Sequence, residues 1–228
     1  IGFAFSAMAE AAAEYTRGDL GAAEDAIDTS LRVIRESGWR SGLAPAAALK
    51  VAVSIERGQL EEAKALLAGL GLLGPLPEMG VLDQLLYYRG ALHAARGDTA
   101  AALQDFLEMG RRQRIAGFDY LVTQWRAAAA PLLHAQGQAA DAAALLSEEL
   151  AISRRRGAPR PIAVALRARA ATETGDDVVR TLMEAAAVIE PTRFRLEIAA
   201  ISIDLGAALR RSNRRSDARS HLERGLDL

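Results

Sequence analysis

The sequence predicts an all-α protein, a right-handed α-α superhelix of about six helix-turn-helix repeats, and three observations predict it. The first is composition. Half of the 228 residues are hydrophobic but only 5% are aromatic, so much of the apolar content is alanine. Alanine loses no side-chain entropy on ordering and is the best helix former. The second is a recurring turn. "RGDLGAAEDAI" (17–27), "RGQLEEAKALL" (57–67), "RGDTAAALQDF" (96–106), "QGQAADAAALL" (136–146), "TGDDVVRTLM" (174–183) and "SNRRSDARSHL" (212–222) place turn residues at Gly18, Gly58, Gly97, Gly137, Gly175 and Asn213. The spacings are 40, 39, 40, 38 and 38. The third is a fixed pair of positions past each turn: a small residue five on (Ala23, Ala63, Ala102, Ala142, Ala218) and an apolar one nine on (Ile27, Leu67, Phe106, Leu146, Leu222). The fifth repeat fits with one residue deleted, through Val179 and Met183. Fixed-period self-similarity of this length marks stacked repeats, none of which buries its apolar face alone.

Each element has its basis in local chemistry. Glycine or asparagine at the turn adopts positive φ and ends the first helix, and Asp19, Asp98 and Asp176 stand where the N-cap of the second belongs. Upstream of the turns run the first helices, with Ile198, Ile201, Leu205 and Leu209 at helical spacing and Val122, Trp125, Ala129 and Leu133 echoing them. Trp125 is therefore a core residue. Gly38, Gly117 and Gly157 end second helices; Trp39 and Phe118 come after the first two, as in a Schellman motif. Repeats two and five break at Pro75 and Pro191 instead. Pro131 falls inside a first helix, which it kinks or which starts close before it. The repeats run roughly 1–42, 43–78, 79–117, 118–157, 158–191 and 192–228, and 1–228 reads as one domain, a fragment of a longer protein.

Charge narrows the function classes. The formal net charge is −1, yet residues 1–110 carry 9 Lys+Arg against 15 Asp+Glu, and 111–228 carry 19 against 14. Such asymmetry reads first as a drift along an elongated molecule, with head-to-tail self-association or one oriented partner as the alternative. The six arginines at 210, 211, 214, 215, 219 and 224 read as the solvated outer faces of the sixth repeat. They have no aromatics or amides placed to read bases, so no direct nucleic-acid contact is expected. No run is long and apolar enough for a bilayer, no basic region opens the chain as in a signal peptide, and cysteine is absent. A cytoplasmic protein with no membrane contact is expected.

Several signals dissolve in this frame. Gly69, Gly71 and Gly74 spell G-x-G-x-x-G, but a helix precedes them and Pro75 comes next, so they mark a helix exit rather than a dinucleotide site. The two Arg-Gly-Asp triplets fall on repeat turns. His93, His134 and His221 lie in different repeats without ligand spacing, so no metal is expected. No catalytic residues are assigned, and the chain is not expected to be an enzyme.

The turn pattern resembles the tetratricopeptide class, including that class's first-helix glycine at Gly90 and Gly206, seven before the turn. "RRRGAPRPIAVALRARAATETGDD" and "LGAALRRSNRRSDARSHLERGLDL" further resemble the C-terminal helical region of large bacterial ATP-binding regulators of the LuxR type, similar to the maltose-regulon activator. That resemblance covers roughly 150–228. It implies a non-catalytic sensor or interaction module of a transcriptional regulator, relaying binding of an effector or a protein segment to oligomerisation. A free-standing tetratricopeptide-like scaffold for protein–protein interaction is the alternative. No G-x-x-x-x-G-K-[ST] loop is present, so no cofactor is expected here; ATP would belong to an N-terminal domain of the parent. In tetratricopeptide grooves the first helices carry the ligand, and the equivalent polar or aromatic positions are Gln84, Tyr87, Gln124 and His134.

Overall fold

The computed structural model describes residues 2–117 and 123–228. It contains twelve α-helices among the described residues and no strand: α1 (Gly2–Arg17), α2 (Leu20–Ser37), α3 (Leu43–Glu56), α4 (Leu60–Gly69), α5 (Gly80–Ala95), α6 (Thr99–Ala116), α7 (Trp125–Ala135), α8 (Ala139–Arg156), α9 (Pro159–Ala170), α10 (Asp176–Ile189), α11 (Arg195–Arg211) and α12 (Arg215–Asp227). These are six helix pairs at the expected places. The described chain gathers into two compact units, Ile1–Trp125 and Arg126–Leu228, where the sequence reading takes 1–228 as one domain.

The turns form as their residues require. Gly18, Gly58, Gly97, Gly137, Gly175 and Asn213 all have positive φ, Asn213 being the one non-glycine residue to do so among the described residues. The Asp19 carboxylate accepts from the Ala22 amide at 3.0 Å and that of Asp98 from Ala101 at 3.1 Å, each satisfying an orphan donor of a helix start. Asp176 is a correction. Gly175 occupies the N-cap and Asp176 is already the first helical residue, where its charge favours the positive end of the helix dipole. Gly38 is left-handed, and the Trp39 amide closes back on Ile34 O at 3.1 Å, completing the expected Schellman motif. Gly117 and Gly157 are left-handed as well. Phe118 and Val122 lie outside the described residues.

Packing joins successive helix pairs through shared clusters. In the first unit Ala4, Ala11, Ile27, Leu31, Ile34 and Ala46 form one cluster drawn from α1, α2 and α3. Val51, Leu67, Leu85 and Leu92 form the next, drawn from α3, α4 and α5. In the second unit Leu150, Leu166, Ala185, Ile189 and Ile201 join four successive helices from α8 to α11. Each fully buried leucine or isoleucine contributes about 1.5–3 kcal/mol from area removed from water. The five alanines after the turns are all buried, as are Ile198, Ile201, Leu205, Leu209, Ala129 and Leu133. Trp125 is buried against α6, where a Cβ on Gly110 would meet its ring at 2.6 Å. In the fifth repeat Val179 is buried as expected but Met183 is 51% exposed; Leu182 fills the core position instead. Relative to its turn, α10 starts one residue earlier than the other second helices, and its inward face runs through Val179, Leu182, Ala185 and Ile189. That face takes the three-residue step from Val179 where the pattern assumes four.

One break differs from expectation. The α4 helix has ten residues where α2, α6 and α8 have eighteen. It ends before Gly71, whose φ is +69°, and the Leu72 amide returns to Leu67 O at 2.9 Å. The chain turns there, not at Pro75. The glycine-rich stretch is thus a helix exit. At Pro131 the second of the two expected forms is found: α7 is a shortened helix of 11 residues that begins at Trp125 and continues through the proline.

Candidate binding site

The shortened α4 leaves the segment 70–79 to cover, in non-helical form, the surface that two further helical turns would occupy. This strap lies on α5 and α6, and two buried arginines hold it. Arg89 of α5 donates through Nη1 to the carbonyls of Leu72 and Gly74, both at 2.7 Å. Its Nε and Nη2 grip the Asp105 carboxylate of α6 at 2.8 and 2.6 Å. Arg112 of α6 donates to the carbonyls of Pro77 at 2.8 Å and Leu76 at 2.7 Å, and its Nε reaches Glu108 at 2.8 Å. Asp83 of α5 stands 3.4 Å from Arg112 Nη1. Arginine suits this work because its rigid fork carries five donors and a charge that survives burial.

Neighbouring arginines set the titration of Glu108, and burial sets that of Asp83. Hydrogen bonds from Arg111, joined by Arg112, hold the Glu108 carboxyl down at about 2. Burial pushes Asp83 up, against the opposing pull of Arg112. The signs differ. Glu108 contributes stability that is present above its ordinary 4.5 and lost as pH falls towards 2. Asp83, with its raised value, favours the fold more once protonated. Glu108→Gln should therefore flatten the acid loss of stability between pH 4.5 and 2, read as urea midpoints at stepped pH. Parallel curves for the two proteins would refute it.

Between strap and helices lies an open cleft of about 700 Å³. Leu73, Pro75 and Leu76 form the strap wall and Leu86 and Leu107 the helix wall, with His93 and Arg111 at the rim. His93 Nε2 is 3.9 Å from Asp105 Oδ2 and its Nδ1 is 3.9 Å from Asp98 Oδ2. Among the described residues no three His, Asp or Glu side chains gather as a metal site.

The groove residues expected from sequence are placed differently from one another. Gln84 and Tyr87 are half-buried on α5, and the Tyr87 ring packs at 5.7 Å on Phe106 and edge-on at 5.3 Å against Tyr88. Gln124 is 3% exposed and precedes α7, so it presents almost no surface to a ligand. His134 is exposed in the last turn of α7, in the second unit. Sequence reasoning misses Arg89 and Arg112. A signal for the first exists: Asp83 and Arg89 interrupt an apolar face that Leu82, Leu85, Leu86 and Leu92 otherwise define.

Fold and site define a helical-repeat protein with one strapped hairpin in its first unit. Neither a family model nor a curated protein matches the chain. The crystal structure of BtubC (BKLC) from P. vanneervenii is similar, with a TM-score of 0.58 over 94% of this chain and 89% of that one, at 12% sequence identity. The likeness is one of fold. Among the described residues no helix is long and apolar enough to cross a membrane.

Proposed function

We propose that the chain is a non-catalytic recognition module, the sensing region of a LuxR-type transcriptional regulator, which binds an effector or partner segment and relays it to self-association. The observation that carries the binding part is the strapped, open cleft of about 700 Å³, a volume within the range of small-molecule sites. Its buried charges are committed to main chain and to one another, so they orient and exclude water; its leucines supply contact area. The regulator context rests on the resemblance of residues 150–228.

A thermal-shift screen against fractionated metabolites tests the binding. A ligand at a hundred times its Kd raises stability by about 2.7 kcal/mol, and mass analysis of the same mixtures separates binding from conversion. Saturable stabilisation with unchanged ligand is expected. Turnover of a bound compound would replace this reading with an enzyme. Sequencing outward along the gene tests the context: a G-x-x-x-x-G-K-[ST] loop upstream and a helix-turn-helix downstream are expected.

A further inference from the structure

We propose that the α5/α6 face of the first unit is a docking site for an extended, leucine- and proline-rich peptide segment, held closed by the chain's own residues 72–77. The inference rests on the recognition-module reading above and names its partner class.

The strap itself supplies the chemistry of the occupant. Residues 72–77 are "LLGPLP" and belong to no helix, and what the helices take from them are four carbonyl oxygens, of Leu72, Gly74, Leu76 and Pro77. Carbonyl recognition is blind to side-chain identity, so any extended segment of this shape satisfies the same two guanidinium forks. The two prolines favour an extended backbone and lower the ordering cost of docking. Specificity then falls to the leucines. Leu72, Leu73 and Leu76 are only half-buried, and Gly74, Pro75 and Pro77 are exposed. These leucines pack on the core cluster without being enclosed by it, so outside the two arginine forks the strap has less buried apolar contact than the helices and is the part of the unit placed to open locally. Beside it the cleft leaves the 40% exposed Leu107 only partly covered, with the buried Leu86 behind it. An incoming segment can seat its first leucine there and then displace the strap from the forks.

A closed strap weakens the apparent affinity for a competing peptide by the fraction of molecules that are open. The test uses the full chain and a labelled peptide of sequence Leu-Leu-Gly-Pro-Leu-Pro, with a serine-for-leucine peptide as control. In fluorescence anisotropy, Leu73→Ser/Leu76→Ser is expected to bind the peptide at least tenfold more tightly than the parent chain, and adding Leu107→Glu should remove that gain. A second measurement does not depend on the loosened variant folding. The chain has no cysteine, so Leu76→Cys gives a single thiol, whose labelling rate should rise with added peptide as the strap is displaced. Equal affinity in loosened and parent chains, or a labelling rate indifferent to saturating peptide, overturns the proposal and leaves the strap a structural linker. The metabolite screen can still succeed in that case, so the two readings fail separately.

Discussion

Arg89→Ala is expected to lower the stability of the 1–125 unit by ~3–5 kcal/mol, the cost of stranding a buried charge. The side chains of Arg89 and Asp105 are 7% and 8% exposed. Without the guanidinium, the Asp105 carboxylate has lost both hydrogen bonds of its ion pair, and the carbonyls of Leu72 and Gly74 lose their donor. Only part of this reflects the worth of the pair, since most of it is desolvation left uncompensated. Arg89→Met/Asp105→Leu removes both charges together and should recover much of the loss. The chain provides a selective probe, because Trp39 and Trp125 are its only tryptophans and both belong to this unit. With a urea dependence of about 1–3 kcal/mol per molar, the tryptophan-fluorescence midpoint of Arg89→Ala should fall by on the order of 2 M. A shift worth less than ~1 kcal/mol would mean the buried fork does not hold the strap.

The repeat was legible because its corners are dictated locally. A residue that must take positive φ leaves few choices, so Gly18, Gly97 or Asn213 announce themselves without knowledge of their neighbours. The buried alanines five past the turns are legible for a related reason: close approach of two helices tolerates little else. What failed was whatever depended on a rotation or a long-range partner. Met183 against Leu182 is a difference of about 100° around one helix, set by how α10 rotates against the helices it packs on. The helix exit at the glycine-rich stretch was legible, but the sequence places the break itself at Pro75, because the leucines of the strap mimic a helix continuing to the proline. Arg89 and Arg112 act on carbonyls 15 to 36 positions away in sequence, and main-chain carbonyls leave no mark in a sequence. The candidate site is the part least visible from composition or period. Gln124 illustrates the limit of transferring groove positions, since α7 starts one residue after it and the position expected to face a groove is instead buried.

Three positional preferences of the repeat reduce to one contact, and this gives the second large expected effect. Gly90 lies seven before its turn, Ala102 five after it and Phe106 nine after it; Gly206, Ala218 and Leu222 stand in the same relation. In the structure these residues converge. A Cβ on Gly90 would lie 2.7 Å from the Phe106 ring and 3.2 Å from the Ala102 carbonyl oxygen. On Gly206 it would lie 2.7 Å from Leu222 Cγ and 3.0 Å from the Ala218 carbonyl oxygen. The glycine in the first helix is thus the hole that receives the large residue of the second, and the alanine lets the backbones close on it. Helix propensity alone would favour replacing either glycine, by up to ~1 kcal/mol. The contact outweighs that at Gly90, because Phe106 is only 3% exposed and has no room to turn aside. Gly90→Val should cost about 1–3 kcal/mol through overpacking, and Phe106→Ala about 3–5 kcal/mol through the cavity it leaves. The double variant should cost less than the two together by on the order of 1 kcal/mol or more, since the valine enters the space the ring vacates. Gly206→Val with Leu222→Ala should couple in the same sense but more weakly, because Leu222 is only half-buried and can move. Tryptophan fluorescence reads the first pair and far-ultraviolet dichroism the second. Additive losses at Gly90 and Phe106 would show that the two positions recur for separate reasons and that the shared contact is incidental.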